Sequence, residues 1–250
     1  TGATNLSSTD TSGFNTNNII VMNNSVAAKI YKTEFEKMYS GYFHTDKEVT
    51  KENVISPKIK VYFSPQDKAI VNAILPVIKS AKNYIYIPIF VLTDKYIAQA
   101  LIDANNRGVD VKLIVDSVSS STKHSKINNL RKAGIKVKIE NYAGKMHSKT
   151  LLADDKYMII GSMNFSNSGE NKNDENLMII ESPDATKFYR QFFTYQWNKI
   201  DDKWLKYTPK PEGKSSIGSC NDGIDNNYNG LIDFDDFEHY AYKLLTINNN

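Results

Sequence analysis

Between residues 58 and 200 the apolar positions switch period repeatedly. KVYF (60–63) reads as a short strand. Ile70, Ile74, Val77 and Ile78 then recur at helical spacing and predict a helix over 69–81. YIYIPIF (84–90) is an apolar run of the length of a buried strand. Asp94 stands where a helix cap is needed, ahead of Ile97, Ala100, Leu101 and Ala104 on one helical face. RGVDVKLIVD (107–116) reads as helix end, turn and strand, and SSSTKHSK (119–126) as a polar loop. A short helix ending near Gly134 leads to a strand in IKVKIE (135–140). MHSKTLLA, DDK and YMIIG (146–161) predict a hairpin, NLMII (176–180) a strand, and the stretch from Pro183 to about Asn198 a helix. Strands alternating with helices argue for an α/β layered sheet.

The pattern also repeats. Gly2-Ala3-Thr4-Asn5-Leu6-Ser7 lines up with Gly161-Ser162-Met163-Asn164-Phe165-Ser166, and Asn17-Asn18-Ile19-Ile20 with Glu175-Asn176-Leu177-Met178. Ser25, Ala28, Tyr31 and Phe35 follow at the spacing of Ser182, Ala185, Phe188 and Phe192, with two single-residue gaps in all. Residues 1–45 therefore read as the C-terminal part of a first copy whose front would lie upstream of Thr1. Residues 46–57 read as a linker, 58–206 as a complete second copy, 207–219 as a second linker and 220–250 as an acidic tail.

Charge follows these divisions. Residues 58–206 carry 23 Lys+Arg against 15 Asp+Glu, a net +8, whereas residues 207–250 carry 3 against 7, a net −4. The middle attracts anions and the tail suits a cation. Cys220 is the only cysteine, which excludes an internal disulfide framework and a cysteine zinc site. No apolar run reaches the roughly 18 residues of a membrane-spanning helix.

Candidate chemistry gathers in the hairpin. A turn centred near Asp155 places Lys149 opposite Gly161 and His147 opposite Met163, with Ser162 and Asn164 one residue away across the ladder. His147 and Lys149, two apart on a strand, point to the same side. One imidazole, one cation and two neutral donors on one pocket suit a phosphodiester. The imidazole can attack phosphorus, Lys149 and the Asn164 amide can hold the non-bridging oxygens, and Glu175 can orient the imidazole. A separate acid is then needed for the leaving oxygen, and a second histidine facing the first would supply it. No metal or other cofactor is needed for this chemistry. Asp154 reads as a turn residue.

His147-x-Lys149, four residues, Asp154, six residues, then Gly161-Ser162-x-Asn164 resembles the HKD motif of the phospholipase D superfamily. FVLTDKYIAQALIDANNRGVDVKLIVD and DENLMII extend the resemblance over roughly 58–200. It implies an α/β sandwich in which two HKD halves share one active site. One half forms a phosphohistidine and the other supplies acid–base catalysis. His147, Lys149, Asp154, Ser162, Asn164 and Glu175 carry over from the match. TGATNLS resembles the end of the first motif, with Asn5 at the place of Asn164, Ala3 where a serine is expected and Asn17 where Glu175 stands. The implied partner is the upstream half of the same polypeptide; pairing of two copies is the less favoured alternative.

In the tail, Asp225, Asn227, Asn229, Asp233 and Asp236, with the Leu231 carbonyl, stand at the ligand spacing of an EF-hand-like calcium loop, with Gly230 at the sharp turn. A structural calcium would favour an extracytoplasmic or secreted location. The leading expectation is a phosphodiesterase acting on a phospholipid. A DNA or RNA endonuclease of the same superfamily and a non-catalytic, calcium-dependent binding module remain as alternatives.

Overall fold

These alternations resolve into an eight-stranded mixed sheet in a computed structural model describing residues 1–11, 15–140 and 144–209, with Gly223 and Ile232 beyond them. The calcium-loop residues Asp225, Asn227, Asn229, Leu231, Asp233 and Asp236 lie outside the described residues.

In chain order the elements are α1 (Ser8–Thr11), α2 (Ser25–Tyr39), β1 (Val54–Ser56), β2 (Ile59–Ser64), α3 (Leu75–Ser80), β3 (Tyr84–Ile89), α4 (Lys95–Asn106), β4 (Asp110–Val115), α5 (Ser117–Ser120), α6 (Ile127–Lys132), β5 (Lys136–Ile139), β6 (Thr150–Ala153), β7 (Tyr157–Gly161), α7 (Asn167–Asn171), β8 (Glu175–Glu181) and α8 (Pro183–Lys199). The sheet order is β1-β2-β8-β7-β6-β3-β4-β5. β3, β4 and β5 run parallel through helical crossovers, and the other neighbours are antiparallel.

The central position of β3 explains its run of apolar residues. Ile85, Ile87 and Ile89 face one core with α3, α4 and α6, while Tyr84 and Tyr86 face a second core with Phe193 of α8. Asp94 caps α4, its Oδ1 accepting from Tyr96 and Ile97. Gly108 and Gly134 take positive φ just after α4 and α6.

Four local expectations need correcting. The helix expected over 69–81 starts as a π turn (Ile70–Ile74) before α3, with Pro76 in the first turn of α3. The polar loop at 119 begins inside α5, because Asp116 accepts from Ser119 N at 2.9 Å and caps it. The linker 46–57 contains β1, which pairs with β2 and extends the sheet. Of MHSKTLLA, only Thr150–Ala153 forms the ladder of β6; Met146 and Lys149 instead bridge to Thr16 and Ile89.

The repeat is three-dimensional. Gly2 bridges to Ile19 and Ala3 N donates to Asn18 O at 2.8 Å; in the second copy Gly161 pairs with Leu177 and Ser162 N donates to Asn176 O at 3.0 Å. Ser7 Oγ accepts from Asp10 N as Ser166 Oγ accepts from Gly169 N. Asn24 caps α2 through Ala27 N, and Ser182 caps α8 through Ala185 N. The caps correct the register: Ser182 corresponds to Asn24, not Ser25, and a single gap suffices. Residues 1–45 also share the body of the fold. Ala27 and Ile30 belong to the second core, and Tyr31 meets Phe63 edge-to-face at 5.3 Å.

Candidate active site

The hairpin turn fixes one end of the motif. Asp154 and Asp155 adopt left-handed φ of 57° and 50°, and Lys156 N closes the turn on Ala153 O at 2.9 Å. Asp154 accepts three backbone N–H groups, from Lys82, Asn83 and Tyr84 at 2.7, 2.8 and 2.9 Å. It ties the hairpin to the start of β3. Six residues of near-extended chain lie between it and His147, a span of roughly 20 Å. Asp154→Ala strands those three donors. It should lower stability by about 2 kcal/mol, read by urea denaturation, and leave the His147 ring resonances in place. A shifted His147 would refute this purely architectural role.

At the other end, residues 145–149 are clamped by the first copy. Thr16 N donates to Lys145 O at 2.8 Å and His147 N to Thr16 O at 2.9 Å. Asn18, itself buried, accepts from Lys149 N at 2.8 Å. His147 Nδ1 lies 2.9 Å from Asn17 Oδ1. An amide oxygen only accepts, so Nδ1 carries the proton and the lone pair of the neutral ring sits on Nε2. Phe90 forms a wall, 4.8 Å from the His147 ring and 5.0 Å from Lys149 Nζ. Lys149 Nζ donates to His147 O at 2.7 Å.

Glu175 does not orient His147, as the sequence suggested. Its Oε2 accepts from Ser162 Oγ at 2.6 Å and its Oε1 from Asn173 Nδ2 at 3.2 Å. The imidazole is held by Asn17, the first-copy counterpart of Glu175. The repeat had paired these two positions; sequence order alone does not reveal that the contact crosses between copies. Asn164 follows β7, and its Oδ1 is buried without a hydrogen-bond partner among the described residues. Asn5 is exposed. It reaches the site at one remove, its N–H donating at 2.7 Å to Asp10, which is 4.0 Å from His147 Nδ1.

Burial, then the charge of Lys149, lowers the His147 pKa to about 4, with Lys145 adding to the effect; Asp10 and the backbone of Ala3 oppose it. At neutral pH the ring is uncharged, so its contact with Asp10 is one of ion and dipole. Burial also lowers Lys149 to about 7, against the pull of Glu175, Asp10 and Asp116. The sign for stability follows. As pH falls below 6.5 the unfolded chain protonates this histidine while the folded one does not, so stability drains between pH 6.5 and 4. Between pH 7.5 and 5 the loss is about 2 kcal/mol. His147→Gln lacks that titration; denaturation at both pH values should show its stability falling less than that of the wild type, and equal falls would contradict the shift.

Against known proteins, the family described as cardiolipin synthase, PLD-like domain, matches residues 74–197. A phospholipase D of Rickettsia bellii is 37% identical over 114 residues, covering 46% of this chain and 57% of that protein. A phospholipase D of Rickettsia felis is 33% identical over 141 residues, covering 55% of this chain and 68% of that protein. A solved structure of the phospholipase D family member Nuc from Salmonella typhimurium is 29% identical. It superposes with a TM-score of 0.53 over 58% of this chain and 97% of that one. The chain belongs to the phospholipase D family. It spans 57% of the length of the R. bellii relative.

Proposed function

We propose that the chain forms one half of a phospholipase D-type phosphodiesterase, cleaving or transferring the phosphodiester of a phospholipid through a phosphohistidine on His147. The observation that carries this reading is the neutral imidazole whose Nδ1 is held by Asn17 beside the buried Lys149. Nε2 attacks phosphorus and forms the N–P bond; the P–O bond to the leaving group breaks as a second imidazole, protonated, gives its proton to that oxygen. Water, losing a proton to the second imidazole, then attacks phosphorus and releases His147. Lys149 and Asn164 hold the non-bridging oxygens, and the arriving anion draws Lys149 to its charged form.

The second imidazole belongs to the first His-x-Lys half. Asn17 holds the histidine of the other copy, so by the repeat Glu175 faces the counterpart of His147. An imidazolium backed by a carboxylate suits the acid, and a neutral imidazole backed by an amide suits the nucleophile. His147 thus keeps the nucleophile's role for a different reason from the one the sequence suggested. A hollow of about 630 Å³ lined by Gly2, Ile19, Val21, Tyr31 and Met178 lies beside residues 19–22, where a first-copy counterpart of β7 would stand as β7 stands beside β8. It suits an upstream strand.

The name phospholipase D carried by the relatives supports a lipid substrate. The +8 middle segment supports any polyanion and keeps a nucleic acid as the second reading. Turnover by the protein joined to a first His-x-Lys half should be measured on phosphatidylcholine and cardiolipin vesicles, beside single- and double-stranded DNA. Lipid cleavage well above DNA cleavage is expected, and the reverse order would overturn the lipid reading. The 250-residue chain alone should turn over very slowly.

The tail reading is separate. Asp225, Asn227, Asn229, Asp233 and Asp236, with the Leu231 carbonyl, would hold one calcium ion. Calorimetry should detect one site in the wild type and none in Asp225→Ala; no heat in the wild type would dismiss it.

A further inference from the structure

The acid that a catalytic imidazole ordinarily leans on is absent from its expected place, since Asn17 stands where the other copy has Glu175. A carboxylate is nevertheless present, one step further back. Asp10, on α1, is buried, and its Oδ2 lies 4.0 Å from His147 Nδ1. Its counterpart in the second copy is Gly169, so this carboxylate is peculiar to the first copy. It is tightly held: Asn15 Nδ2 donates to Oδ1 at 2.5 Å and Asn5 N to Oδ2 at 2.7 Å. Asn17 spans the gap. Its Oδ1 meets His147, its Nδ2 is buried with no hydrogen-bond partner among the described residues, and the same amide is among the groups that lower the Asp10 pKa.

We propose that Asp10 is a positioning residue for His147, fixing the Asn17 amide so that its oxygen faces Nδ1 and supplying the negative charge that a phosphorylated imidazole needs behind it. The order Asp10–Asn17–His147 does with two residues what one carboxylate does elsewhere. The amide edge nearer Asp10 must be the N–H₂ edge, because a carboxylate repels the oxygen; the oxygen is thereby turned to the imidazole and the reactive lone pair kept on Nε2. Asp10 stays ionised throughout. Burial opposes this, but the hydrogen bonds from Asn15 and Asn5, with the Asn17 amide nearby, outweigh it and hold the acid at about 2. The cations facing the ring, Lys145 and Lys149, repel the positive charge that forms on it when phosphorus is attacked. Asp10 offsets them, and the Ala3 backbone and Phe90 ring complete the surroundings.

This inference rests on reading His147 as the nucleophile, and the test separates the two. Ring-nitrogen NMR of His147 in the 250-residue chain reports tautomer and pKa whether or not the ring does chemistry. Asp10→Asn should lower the His147 pKa by about one unit, the size expected of one near charge, and reduce its Nδ1–H fraction. The swap D10N/N17D, which returns the carboxylate to the imidazole, should restore both. In the protein joined to a first His-x-Lys half, Asp10→Asn should lower kcat about 10- to 100-fold with KM little changed, and the swap should recover most of it. A folded Asp10→Asn variant with unchanged His147 pKa and tautomer would overturn the proposal. Should that variant not fold, Asn17→Leu cuts the same link with Asp10 in place; an unchanged tautomer there overturns it equally. Intact NMR coupling with full turnover in His147→Ala would instead refute the reading of His147 and leave the coupling standing.

Discussion

Replacing His147 by alanine in a protein that carries both His-x-Lys halves should lower phosphodiester turnover by at least about three orders of magnitude, the scale typical of losing a nucleophile that acts as part of a unit. Among the described residues no other histidine is placed to stand in. His44 Nδ1 lies 2.8 Å from Asp174 Oδ2, and the ring is largely exposed. His124 is exposed in the segment after α5, and His239 lies outside the described residues. Water reaching phosphorus directly would still find Lys149 and Asn164, so a residual rate well above the uncatalysed one is expected. Acid quench of the wild type should trap a phosphohistidine, and His147→Ala should trap none. Turnover within tenfold of wild type would sink the assignment. A His147→Ala enzyme that is slow but still accumulates the phosphohistidine would move the nucleophile to the other half and make His147 the acid.

The parts of this arrangement legible in the sequence are those with local causes. A strand buried on two faces must be nearly all apolar, so β3 stands out as YIYIPI. The DDK turn centres the hairpin, and Thr150 opposite Ile160 is the register that puts Lys149 level with Gly161. Asp94 announces α4 because a short acceptor before an apolar face has one obvious use. β1 is illegible for the opposite reason: three residues between Asn53 and Pro57 are too few to show a period, and only pairing with β2 makes them a strand. The exchange at His147 is illegible in another way. Sequence placed Glu175 and Asn17 at equivalent points of a repeat, yet that Asn17 meets the imidazole of the other copy depends on a contact across about 130 residues. Asp10 carried no signal at all, being an unremarkable acid in a short polar stretch until folding brings it to 4.0 Å from the ring.

Gly161→Ala should cost about 3 kcal/mol or more, a fall of about 10 °C in melting temperature for a chain of this size. Gly161 ends β7 directly against the backbone of β8. A Cβ there would stand 2.2 Å from Asn176 O and 2.9 Å from Leu177 Cα. Both atoms belong to a central strand paired on two sides, so no rotamer change relieves the clash; the strands must part. The damage has a direction. Asn176 N donates to Ser162 Oγ at 3.1 Å, and Ser162 in turn holds Glu175, so the carboxylate assigned to the opposite imidazole moves with the strand. Gly2 is the twin, its Cβ position 2.1 Å from Asn18 O, and Asn18 is the acceptor that seats Lys149. Gly108→Ala supplies the control. Its φ of 91° is unfavourable for alanine, but nothing lies within 4 Å of the added carbon, so only about 1 kcal/mol should be lost. Urea denaturation of the three variants would then rank Gly161 and Gly2 together, well below Gly108. A Gly161→Ala protein as stable as Gly108→Ala would mean that β7 and β8 do not close on each other at this point, and that the support behind Glu175 is not the one described.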